Sequence, residues 1–175
     1  MDVIFIRHTS VDVPKGTCYG WSDVPVAETF EQEAAETKKN IEGLDFDMVY
    51  SSPLTRARKL AEFCGWPNPV VDERLKEMNM GNWEMKLFDE IEDENLQRWY
   101  DDYMHQPTTN GESFPMLYAR VAAFLDELKQ KPYKRVAVFA HGGVLMCAGI
   151  YGNLFSEKDC FKHLAPYGGI EKITI

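Results

Sequence analysis

The sequence predicts an α/β fold, a three-layer sandwich with a mostly parallel central sheet and helices on both faces. Three observations carry that prediction. Residues 3–6 and 136–140 are apolar runs without the alternation of a half-wet strand, so each suits a strand covered on both sides. Each run stops abruptly at a polar tip, Arg7-His8-Thr9 in one case and His141-Gly142-Gly143 in the other, and open α/β sheets place their ligands at that carboxyl end. Between and after the runs lie segments with helical spacing of apolar residues.

Taken in order, the first strand is followed by residues 11–25, rich in turn formers and carrying Tyr19 and Trp21 around Gly20. This reads as a long loop over the site, its two aromatics either walling a pocket or pinning the loop to the core. Thr29 and Gln32 make a capping-box signature for a helix ending near Gly43. Residues 46–50 read as a second strand. Ser52 then serves as cap and Pro53 as first residue of a helix that carries Arg56 in its opening turn. The helix dipole disfavours a cation there, so the arginine hints at a visiting anion, while Arg58 points elsewhere around the helix.

Residues 70–71 are a short extended piece. Residues 87–105 are a polar, aromatic-spotted helical stretch, and 87–111 together read as a cap or lid inserted over the pocket. His105 falls on its surface. Ser113 caps an amphipathic helix with Leu117, Val121, Phe124 and Leu128 at helical spacing, stopped before Pro132. Residues 135–140 form a core strand and the glycines after His141 open another helix, where free amides favour an anion. His163 takes a structural reading, and residues 170–175 close the sheet.

Composition bounds the function. A chain of 175 residues fits one domain, 1–175, able to bury a core without metals or disulfides. Nineteen basic against twenty-eight acidic residues give a formal charge of −9, the wrong sign for a nucleic-acid or anionic-membrane partner. Any phosphate pocket must therefore be local, built from particular arginines. Cys18, Cys64, Cys147 and Cys160 are scattered without metal-ligand spacing, which favours reduced thiols in a cytoplasmic protein over a disulfide frame. The N-terminus lacks a signal-peptide pattern, and no apolar run nears the roughly 18 residues of a membrane span. A homodimer is compatible with these features.

The chemistry lies at the tips. Neutral imidazole can attack phosphorus to give a phospho-enzyme, and Arg7 beside His8 offers a planar fork to phosphate oxygens. Releasing an alcohol from a phosphate ester needs a proton for the departing oxygen, a task for a partly desolvated carboxylic acid. Glu77 and Glu84 are the candidates, against the plain alternative of a surface loop with solvated acids.

With Arg7-His8-Thr9, Ser52-Pro53-Leu54 through Arg56-Ala57, Leu75-Lys76-Glu77 followed by Gly81-Asn82-Trp83-Glu84, and His141-Gly142-Gly143 in that order, the chain resembles the histidine phosphatase superfamily, the phosphoglycerate-mutase-like branch. The resemblance implies that His8 is the phosphorylated nucleophile, that Arg7, Arg56 and His141 form the phosphate pocket, and that Glu77 is proton donor and later base. It implies no cofactor and no metal. Thr9, Tyr19, Gly20, Trp21, Glu84 and Gly142 are the expected substrate contacts. Within the superfamily the likeness is to the α-ribazole phosphatases of cobalamin nucleotide-loop assembly, through residues 16–25 and 81–84. The alternatives are a broad phosphatase of sugar phosphates or nucleotides, a mutase, and an inactive member that only binds phosphorylated ligands. Arg-His-Thr in place of the common Arg-His-Gly, Pro14 where mutases carry asparagine, and the short chain all argue against a mutase.

Overall fold

The computed structural model describes residues 1–175. Five strands form one sheet: β1 (Asp2–Arg7), β2 (Met48–Ser51), β3 (Val70–Val71), β4 (Arg135–Ala140) and β5 (Ile170–Thr174), in the order β3-β2-β4-β1-β5. All neighbours are parallel except β5, which runs antiparallel on β1. The two apolar runs are the central pair. Arg7 lies opposite Ala140 in register, so both polar tips leave the sheet at one edge.

Alternate residues of these strands feed two cores, which is why their sequences show no polar face. Val3, Phe5, Val136 and Val138 pack under α4 (Phe114–Leu128) and α5 (Gly142–Tyr151). Ile4, Ile6, Ala137 and Phe139 pack under α1 (Phe30–Asn40) and α2 (Thr55–Phe63). The result is the expected α/β layering, helix on sheet on helix.

Several local expectations need correction. Thr29 stands at the N-cap of α1 but makes no capping bond, because its hydroxyl donates to Glu33 Oε2 at 2.6 Å; the helix ends at Asn40 rather than near Gly43. The second strand is Met48–Ser51, not residues 46–50. Ser52 does not cap α2, which begins at Thr55 behind an extended Leu54, since the chain first makes a tight turn in which Leu54 N donates to Ser52 Oγ at 3.3 Å. Residues 87–105 hold only one short helix, α3 (Glu94–Asp101), after a 3-10 turn. Asp93 caps α3 by accepting from Asn95 N and also receives Trp83 Nε1 at 2.8 Å, which ties the segment to a small cluster of Cys18, Met80 and Trp83. Ser113 does cap α4, accepting from Met116 N.

Candidate active site

Strands β1 and β4 bring His8 and His141 to ring centroids 5.2 Å apart. Both side chains are buried, His8 to 2% exposure. His8 Nδ1 lies 2.7 Å from the Thr9 carbonyl oxygen; a carbonyl only accepts, so Nδ1 carries the proton and Nε2 keeps a free lone pair. Burial, reinforced by the Arg56 charge and to a lesser degree by Arg7, brings the His8 pKa down to about 3 against the opposing Thr9 hydrogen bond. Burial likewise holds His141 well below its ordinary value, with Arg56 the next cause. Two neutral imidazoles therefore face each other at neutral pH.

Two guanidinium groups supply the positive charge. Arg56 projects from the first turn of α2 and is fully buried, with Nη1 donating to Ser22 O at 2.7 Å and Nη2 to Gly20 O at 2.6 Å. Arg7 Nη1 donates to Ala165 O at 2.6 Å, and its Cζ lies 4.2 Å from the Tyr167 ring centroid. Neither arginine is paired with a carboxylate. Buried polar atoms almost always find partners, yet Arg7 Nε, Thr9 Oγ1, Arg56 Nε and His141 Nδ1 have none. Buried polar atoms left unpartnered on two arginines, a threonine and a histidine, in a chain of net negative charge, are suited to a tetrahedral oxyanion.

Glu77 is held by two backbone amides. Its Oε2 accepts from Gly143 N at 3.0 Å, at the start of α5, and its Oε1 from Met78 N at 2.9 Å. The backbone that carries it is gripped by Arg120 on α4, which donates to Arg74 O, Lys76 O and Glu77 O and pairs with Glu112. Glu112 also receives Asn79 N at 2.7 Å. Above lies a cleft of roughly 470 Å³ whose walls include Arg7, Glu77, Gly142 and Gly143, together with Tyr19, Met78, Trp99, Tyr103, Phe114 and Phe161. His8, His141 and Arg56 are not among its walls; the cleft offers an acid, one arginine and a largely apolar lining, which suit the apolar leaving group of a phosphate ester.

The other expected contacts divide. Tyr19 lines the cleft, its hydroxyl 3.2 Å from that of Tyr167 and its ring 5.3 Å from Arg56 Cζ. Gly142 lines it too, and Thr9 lies buried next to His8. Trp21 does not reach the cleft: it is 39% exposed and lies under Lys76 Nζ, 4.5 Å from its centroid. Glu84 is a loop clamp, accepting from the amides of Gly20, Trp21, Ser22 and Met80 and from the Ser22 hydroxyl. Gly20 lines no wall; a Cβ there would sit 1.8 Å from Met78 O, so only glycine admits this crossing, and its carbonyl receives Arg56. His105 pairs with Asp102 on the surface.

Tyr167, Ser52 and the Arg120–Glu112 pair went unread as site residues. Tyr167 packs 5.7 Å from the His8 ring, and Ser52 Oγ lies 2.7 Å from His141 Nε2. No three His, Cys, Asp or Glu side chains stand close enough to hold a metal ion, and no helix is long and apolar enough to cross a membrane.

Comparison with known proteins gives the same direction. The family model described as "Histidine phosphatase superfamily (branch 1)" matches residues 3–162. The chain is 31% identical over 154 residues to the adenosylcobalamin/alpha-ribazole phosphatase of Escherichia coli (strain K12), covering 83% of this chain and 75% of that one. It is 27% identical to phosphoserine phosphatase 1 of Hydrogenobacter thermophilus, covering 83% and 72%. The crystal structure of the alpha-ribazole phosphatase from Shigella flexneri superposes with a TM-score of 0.89 at 25% identity, covering 100% of this chain and 91% of that one.

Proposed function

The chain belongs to branch 1 of the histidine phosphatase superfamily and is a phosphatase for small phosphorylated substrates, and we propose that it hydrolyses α-ribazole 5′-phosphate through a phosphohistidine at His8. The observation that carries the mechanism is the set of unpartnered buried atoms on Arg7, Thr9, Arg56 and His141, together with the free Nε2 of His8. Arg7, Arg56 and His141 bind the phosphoryl oxygens. The His8 Nε2 lone pair attacks phosphorus as the P–O ester bond breaks, and Glu77 gives its proton to the departing alkoxide. Water then loses a proton to the Glu77 carboxylate and attacks the phosphohistidine. The P–N bond breaks, releasing phosphate and neutral His8. Positive charge comes from the two arginines, so the scheme needs no metal.

The substrate reading draws on the similarity to alpha-ribazole phosphatases and on the aromatic cleft wall, which suits a benzimidazole-like base. Residues 87–111 act as its cap, contributing Trp99 and Tyr103. A broad phosphatase of sugar phosphates or nucleotides is the second reading, favoured by Trp21 standing outside the cleft. Four free, buried cysteines support a reducing compartment, the cytoplasm.

Steady-state hydrolysis in EDTA decides between them, comparing α-ribazole 5′-phosphate with 3-phosphoglycerate, phosphoserine, fructose bisphosphate and nucleotide monophosphates. A kcat/KM preference of about two orders of magnitude, near 3 kcal/mol, is expected for the first. Flat activity across the panel would keep the phosphohistidine scheme and overturn the substrate assignment.

A further inference from the structure

Ser52 sits where β2 ends, anchored by its own amide, which donates to Phe139 O at 2.9 Å. Its hydroxyl has two neighbours. Leu54 N donates to the oxygen at 3.3 Å, and His141 Nε2 lies 2.7 Å away. We infer that Ser52 is a positioning residue that fixes His141 in the tautomer with its proton on Nδ1, making it a neutral hydrogen-bond donor to the phosphoryl group. The inference rests on the phosphatase-site reading above for the identity of that group.

The Leu54 amide already occupies a lone pair of Ser52 Oγ, and the hydroxyl hydrogen has one acceptor within reach, His141 Nε2. A nitrogen that accepts bears no proton, and a neutral imidazole holds a single one, so it must be on Nδ1. His141 Nδ1 is the buried atom left without a partner. In the opposite tautomer the Ser52 hydrogen would be stranded, and a bare lone pair on Nδ1 would meet phosphate oxygens. His8 carries the same tautomer but presents its other face, because the Thr9 carbonyl engages its Nδ1. One pair of identical tautomers thus yields a nucleophile and a donor.

The test is a long-range proton–nitrogen correlation spectrum at neutral pH on protein labelled with ¹⁵N-histidine, with and without inorganic phosphate, alongside steady-state kinetics. His141 is expected to show a protonated Nδ1 and a bare Nε2, and phosphate is expected to shift the Nδ1 proton. Ser52→Ala should mix the two tautomers and lower kcat by about 10- to 100-fold, the range commanded by partners that orient an imidazole. Ser52→Thr, which keeps the hydroxyl, should hold the wild-type tautomer. A His141 with its proton on Nε2 while phosphate perturbs the site would overturn the inference and leave the site reading standing, as would an unchanged tautomer in Ser52→Ala. If phosphate perturbs neither His8 nor His141, the site reading itself falls and takes the inference with it.

Discussion

The Gly143 amide donates to Glu77 Oε2 at 3.0 Å, and a Cβ on Gly143 would stand 2.2 Å from Glu77 Oε1. The first turn of α5 is therefore shaped around the carboxyl group that the scheme uses as acid and base. Gly143→Ala should push Glu77 aside and lower kcat by at least about tenfold, since small misplacements of a reacting group are costly. Thermal unfolding and steady-state kinetics on the variant check this; unchanged kcat would show that Glu77 has room to spare.

Glu77 and His8 should separate by leaving group. Glu77→Gln is expected to slow alkyl phosphates by about 10²- to 10⁴-fold, the usual worth of a general acid, while aryl phosphates, whose phenolate leaves unaided, suffer far less. His8→Ala should abolish turnover of both and the acid-labile phosphoprotein trapped by rapid quench. Equal losses on the two ester types in Glu77→Gln would remove it from the acid role.

Arg120 lies outside the cleft but joins α4 to the carbonyls of residues 74, 76 and 77. Arg120→Met leaves Glu112, largely shielded from water, without its cation, and should cost about 3 kcal/mol of stability as well as lowering kcat. Urea denaturation measures the first. Arg120→Lys should recover little of either, because an ammonium cannot span the same set of acceptors.

Glu171 gives the fold a pH signature. Burial lifts its carboxyl from 4.5 to about 7, and its Oε1 has no partner. Between those values the folded state binds more protons than the unfolded one, so its contribution is full below about 4.5 and is lost as pH rises through 7. Glu171→Gln should match the wild type at pH 4 and exceed it by roughly 1 kcal/mol at pH 8, after discounting for partial solvent access. His8 works with the opposite sign: its pKa is depressed to about 3, so its contribution is complete above about 6.5 and fades as pH falls towards 3. Chemical denaturation of both proteins across this range reads the Glu171 slope as their difference.

What the sequence made legible follows from range. Strands β1 and β4 and the tips bearing His8 and His141 were readable because burial on both faces writes itself into consecutive residues. The sheet edge shared by Arg56 followed from strand-then-helix order. Local capping rules failed where another partner won: the Thr29 hydroxyl serves Glu33 one turn along, and the Ser52 hydroxyl serves His141 on a different strand tip. Trp21 and Glu84 sit in motif-like positions, yet Glu84 holds the loop backbone and the Trp21 ring lies against Lys76. Tyr167 and Arg120 act across long stretches of chain, so no spacing pattern announces them.

The pairing of β1 with β4 sets Asp2 opposite Arg135 and so joins two segments most of the chain apart. Closing so large a loop comes late and slowly in folding, and neither histidine tip has its neighbour before it closes. Partly folded chains should then show helical signal without turnover, and recovery of activity after dilution from denaturant should track the slowest refolding phase. Catalysis in this protein doubles as a clock for the last long-range step of its assembly.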